Sequence, residues 1–196
     1  KECYLLTMTS PGSISNVIVA AFLCGFSVVA FAAIPAVAQT TVDEYLDRLA
    51  DPELRNWDVV EADVYQRWQI SGSASADYLL RRGLDAMEAE DYTAAYDHLT
   101  ALTDHAPEFA EGWNARATMF FEQQMFGPAI ADIQRVLALE PRHFGALAGL
   151  GVMLEDMGDT DGALEAYEAA HAIHPNQPDI QRLLDGLRVQ LEGEAL

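Results

Sequence analysis

Three prolines, Pro107, Pro141 and Pro175, recur at intervals of 34 residues, and the same interval separates three further sets of positions. Small residues repeat as Gly83, Ala117 and Gly151 and again as Ala95, Ala129 and Ala163, while Leu79, Trp113 and Leu147 form a bulky column. Four columns in one register restrict the chain to an array of like units, each unable to bury its apolar face alone.

Within a unit the apolar spacing is helical. Leu147, Leu150, Gly151 and Leu154 fall at i, i+3, i+4 and i+7, and Ala163, Tyr167 and Ala170 continue the pattern after Gly158-Asp159. Each unit therefore reads as two helices and a tight turn, over about 76–89 with 92–105, 109–123 with 126–139, and 143–157 with 160–173. Antiparallel helices approach closely only where one side chain is small and its neighbour fills the gap. Leu99, Ile133 and Tyr167 are the expected fillers beside the small columns. Each proline closes a second helix, because it lacks an N–H and restricts the residue before it.

These columns resemble the tetratricopeptide repeat. Its pattern appears as Leu147-x2-Leu150-Gly151-x2-Leu154, Ala163-x3-Tyr167 and Pro175 in the third unit. The second unit reads Trp113-x2-Arg116-Ala117-x2-Phe120, Ala129-x3-Ile133 and Pro141, and the first Leu79-x2-Arg82-Gly83-x2-Ala86, Ala95-x3-Leu99 and Pro107. The resemblance implies an all-α, right-handed solenoid of three helix hairpins, at 76–109, 110–143 and 144–177. It specifies a fold and no single function. Residues 178–196 are expected to cap the array, since Ile180, Leu183, Leu184, Leu187 and Leu191 form one apolar stripe. Residues 39–75 form an N-terminal helical extension outside the repeat pattern. Thr41 to Glu44 reads as a capping box opening a helix to about Ala50, and a second helix over about 52–70 carries Trp57, Val60, Val64 and Trp68. This pair is expected to be a degenerate hairpin, a cap or an arm.

Residues 1–38 read as a cleavable signal peptide. An apolar run from Val17 to Ile34 ends at Pro35 and is followed by Ala36-Val37-Ala38, which places cleavage before Gln39, with Met8 as an alternative start of translation. The rival reading is an inner-membrane anchor over 17–34, at the lower limit of a spanning length. Both cysteines, Cys3 and Cys24, lie in this segment, so the remainder has no disulfide, thiolate metal site or cysteine nucleophile. With no Asn-x-Ser/Thr sequon in the chain, a bacterial periplasm is the expected address.

Charge narrows the partners. The 31 acidic and 11 basic residues give a formal net charge of -20, which opposes sequence-independent binding to nucleic acid or to an anionic membrane and favours basic partners. Arg82 and Arg116 occupy positions where the repeat prefers Leu. Asp132 is the expected partner of Arg116, and Asp97 and His98 are the candidates for Arg82. Glu165, Glu168, His171 and His174 form a stripe on one helix, but members three residues apart drift around the axis and cannot enclose an ion. The stripe is expected to dress the surface, and no metal or other cofactor is expected. No nucleophile elbow, HExxH helix or phosphate loop appears, and the chain does not read as an enzyme.

What remains is the face of the first helices opposite the packing columns, which in the family lines a concave groove. Here the register puts Leu80, Arg81, Leu84, Met87 and Glu88 from the first unit, Asn114, Thr118, Phe121 and Glu122 from the second, and Ala148, Val152 and Glu155 from the third. Its middle is apolar and its rim acidic. The expected function is a periplasmic scaffold that captures a protein segment, amphipathic with basic flanks, in envelope protein assembly or maturation. The rival is a structural or oligomerising protein whose groove is filled by its own or a sister chain's N-terminal helices, since large apolar faces tend to be covered.

Overall fold

The computed structural model describes residues 41–194, and among them the chain forms helices and turns with no strand. The helices are α1 (Val42–Leu49), α2 (Trp57–Trp68), α3 (Ala74–Glu88), α4 (Tyr92–His105), α5 (Ala110–Glu122), α6 (Phe126–Leu139), α7 (Phe144–Asp156), α8 (Thr160–Ile173) and α9 (Pro178–Glu194). The signal-peptide reading of residues 1–38 lies outside the described residues. No helix among the described residues is long and apolar enough to cross a membrane.

The pairs α3–α4, α5–α6 and α7–α8 are the three repeat hairpins, and the small columns explain their closeness. Ala95, Ala129 and Ala163 are fully buried. Gly83 faces the Leu99 side chain and Gly151 faces the Tyr167 ring, so closely that any side chain on either glycine meets its neighbour. The turn inside each hairpin places one residue at positive φ, and those residues, Glu90, Gln124 and Gly158, again lie 34 positions apart. Only the third hairpin uses the glycine that this backbone conformation favours. Between repeats, the carbonyl of Pro107 accepts from Trp113 Nε1 at 3.0 Å and from Arg135 Nη2 at 3.2 Å, which clamps the connection between α4 and α5 to both helices of the second hairpin.

Three clusters make up the core. The largest joins the first two hairpins and reaches α7 through Ala146 and Met153. A second seals the third hairpin with Leu184 and Leu187 of α9 against Tyr167. In the third, Leu46, Leu49, Val60, Val64 and Trp68 of α1 and α2 pack with Phe144, Ala170 and Ile180, so the N-terminal pair folds back onto the last repeat and does not extend the array before α3. Thr41 and Glu44 form the expected capping box. The second helix starts at Trp57, later than its apolar pattern suggests, because the Asp51 carboxylate accepts the Glu53 N–H at 2.9 Å and the Asp51 carbonyl accepts the Leu54 N–H at 3.1 Å. That local turn competes with helix.

Candidate functional site

α2 seats its C-terminal half on the start of α7. Trp68 stacks flat on His143, with ring centroids 4.0 Å apart, and Tyr65 meets the Phe144 ring edge-on at 5.4 Å. Gly145 admits this approach, because a Cβ there would lie 3.2 Å from the Tyr65 hydroxyl oxygen. His143 caps α7: its Nδ1 accepts the Ala146 N–H at 3.1 Å, so Nε2 carries the proton and faces Glu111 at 3.3 Å. Burial, reinforced by the Glu61 and Glu111 carboxylates, raises the pKa of the Tyr65 phenol, which therefore stays neutral. At the same end of α2, Gln66 together with Gln69 and Ile70 just past the helix borders a cleft of about 450 Å³ shared with Asp77, Leu80, Arg81 and Leu84 of α3.

This contact covers the third repeat's end of the expected groove. Leu80 is 3% exposed and belongs to the main core cluster. Ala148 packs with the α1–α2 cluster. Leu80 thus reaches the inner face only as the floor of the cleft beside α2, and Ala148 is half-buried under α1–α2. Arg81 stays exposed and its guanidinium lies over the Tyr78 ring; Asn114 is half-buried and donates to Glu111. The second halves of the inner helices form a strip beyond α2. There Leu84, Glu88, Thr118 and Glu122 are exposed, and Met87, Phe121, Val152 and Glu155 are half-buried. Phe121 lies 6.0 Å from the Phe126 ring, Val152 packs toward α8 and α9, and Glu155 accepts the Tyr167 hydroxyl at 2.8 Å.

Arg116 pairs with Asp132 as its position suggests, through Nε at 2.7 Å and Nη2 at 2.9 Å, while Nη1 donates to Thr103 at 2.7 Å. The Asp132 hydrogen bond raises the guanidinium's pKa further. Arg82 departs from expectation. It meets neither Asp97 nor His98 but the exposed Asp85, one turn along its own helix at 3.9 Å, because it faces solvent where Arg116 faces α4. The acidic and histidine stripe does not stay together on the surface either. Glu168 pairs with Arg188, whereas His174 is fully buried between Trp57 and Phe144, with Glu61 at 3.6 Å. Desolvation lowers the His174 pKa to about 4. No group of three or more His, Cys, Asp or Glu side chains suited to a metal occurs among the described residues.

From sequence the seat of α1–α2 stays open among a hairpin, a cap, an arm and a cover over the inner face, although the third unit carries a signal for the docking observed. Gly145, Ala148 and Gly149 replace the larger residues that the first two units hold at most equivalent positions. Arg142, in the turn before α7, completes the joint by donating to Asp43 at 2.7 Å and Asp47 at 2.6 Å of α1.

Known proteins share the repeat hairpins. Tetratricopeptide repeat models match residues 80–127 and 120–187. A TPR repeat-containing protein of Rhizobium etli is 33% identical over 148 residues, covering 76% of this chain and 72% of that protein. Among solved structures, the Sgt2 TPR domain of Aspergillus fumigatus superposes with a TM-score of 0.59 at 26% identity, over 63% of this chain and 83% of that one. The first TPR domain of Spaghetti (RPAP3), bound to the HSP90 peptide SRMEEVD, gives a TM-score of 0.59 at 22% identity, over 61% of this chain and 95% of that one. With hairpins, columns and relatives in agreement, the chain belongs to the tetratricopeptide repeat family.

Proposed function

We propose that this protein is a non-catalytic scaffold that captures a segment of another protein along the strip left open beside α2. The observation that carries the reading is the strip itself, where Leu84, Phe121 and Val152 provide apolar surface and Glu88, Glu122 and Asp156 a carboxylate rim. Such a surface suits an amphipathic segment with Arg or Lys on its flanks, whose charges speed encounter while its apolar side supplies affinity. A peptide-bound relative supports the general mode. Its ligand carries three acidic side chains, however, and the present chain's net charge of -20 argues for one of opposite sign. Nucleic acid is disfavoured on the same ground. The apolar run before Gln39 and its Ala-x-Ala end support export to the periplasm, and with it a role in assembling or maturing envelope proteins.

A photoreactive residue at Thr118, compared with one at the exposed Gln134 of α6, tests this reading in cells. Cross-links to a defined basic, amphipathic segment from Thr118 alone support it. Equal labelling from both positions, or none from Thr118, contradicts it.

A further inference from the structure

We propose that the floor beneath α1–α2 is a second docking surface, for a partner helix bearing an aromatic pair three residues apart and a carboxylate pair, with α1–α2 the internal competitor that holds it closed. The seated helices define what the floor accepts. Tyr65 and Trp68 supply the aromatic pair, over Gly145, Phe144 and His143, and Asp43 and Asp47 supply the carboxylates to Arg142. The floor is built on the start of α7 with Ala170 of α8 and Ile180 of α9, and the second half of α7 carries Val152 and Glu155 of the open strip, so a partner reading that strip finds the floor on the same helix.

The joint is built for release. Among the described residues, Trp68 Nε1 and both ring nitrogens of His174 are buried at this contact without a hydrogen-bond partner, so docking desolvates them without replacing what water supplies. Both ion pairs to Arg142 are half-open to solvent and weaken with salt. The link to α3 is the short segment 69–73, turned at Gly72 with φ of 78°, and a tether of that length keeps the competitor at high local concentration while letting it lift. A partner then binds with an affinity reduced by the closed fraction. A second copy's α1–α2 would fit the same floor, but two chains each carrying -20 repel one another, which favours a segment of a less acidic protein.

The test leaves the floor intact and weakens the competitor. The full chain carrying Trp68→Ala and Asp47→Ala is titrated with a fluorescent peptide of residues 41–70, beside the unmodified chain, and amide exchange is followed in both. The proposal expects the variant to bind the peptide at least tenfold more tightly, with faster exchange in α1–α2 and unchanged exchange in α3–α8. Equal affinity in the two chains, or an open variant that fails to bind, overturns it. A concentration-dependent doubling of mass overturns the assignment to a partner and makes a second copy the occupant. Should the variant lose protection in its repeats, the unmodified chain decides. Exchange in α1–α2 at least tenfold faster than in α7 supports the latch, and equal exchange refutes it. No residue of the Thr118–Phe121 strip enters this test, so its failure is separate from failure of the proposed function.

Discussion

The ring of Tyr167 fills the space that Gly151 leaves by carrying no side chain. A Cβ on Gly151 would overlap Cδ1 and Cε1 and come within 3.0 Å of Cζ. The Tyr167 ring is held at its far end, where the hydroxyl donates to Glu155 at 2.8 Å, and it is fully buried. It cannot yield without losing that bond. At Gly83 the corresponding clash is with Cδ2 and Cγ of Leu99, a side chain that has no hydrogen bond to lose by shifting.

Gly151→Ala is therefore expected to destabilise the protein by about 1 to 3 kcal/mol through overpacking, despite the better helix propensity of alanine. Gly83→Ala is expected to lie closer to the parent. Urea denaturation of both variants checks the order, and a Gly151→Ala protein as stable as the parent would contradict this account of the hairpin.

Arg116 and Asp132 form a bidentate pair with side chains only 14% and 7% exposed. Asp132→Ala strands a guanidinium among Trp113, Phe120 and Thr103, and such a loss costs about 3 to 5 kcal/mol. Replacing both partners together, as Arg116→Met with Asp132→Leu, removes the stranded charge and is expected to recover much of that loss. A double variant less stable than Asp132→Ala would show that the pair stabilises the fold beyond satisfying its own charges.

The hairpins were legible in the sequence because each column records a short-range contact repeated three times. Arg116 could be matched to Asp132 for the same reason, since both belong to one hairpin. The seat of α1–α2 was not legible to that degree. Trp68 and His143 are 75 positions apart, and no periodicity links them. Leu80 shows a complementary limit: register places it on the inner face, where it borders the cleft, but its 3% exposure follows from packing between helices, which spacing within one helix does not encode.

His174 connects this long-range joint to pH. Its imidazole touches Trp57 of α2 and Phe144 of α7, and Glu61 of α2 is the carboxylate facing it. Desolvation lowers its pKa from 6.5 to about 4. The unfolded chain thus binds a proton that the folded one refuses, and stability is lost progressively as pH falls from 6.5 toward 4. Glu61, raised mainly by desolvation, works the other way and is common to parent and variant. Relative to a His174→Phe protein, the parent is expected to lose about 2 kcal/mol between pH 7.5 and 4.5. Parallel stability curves for the two proteins over that range would contradict the burial of a neutral imidazole.

The central claim is that a partner segment binds along the strip centred on Phe121. Its most direct test is calorimetric titration of the segment cross-linked from Thr118 into the parent, Phe121→Ala and Glu122→Gln proteins, at low and high salt. A central aromatic anchor contributes about 2 kcal/mol or more, so Phe121→Ala is expected to weaken binding roughly 30-fold. Glu122→Gln should mainly slow association, and salt should weaken binding to the parent. A Phe121→Ala protein that binds the segment as tightly as the parent would contradict the claim.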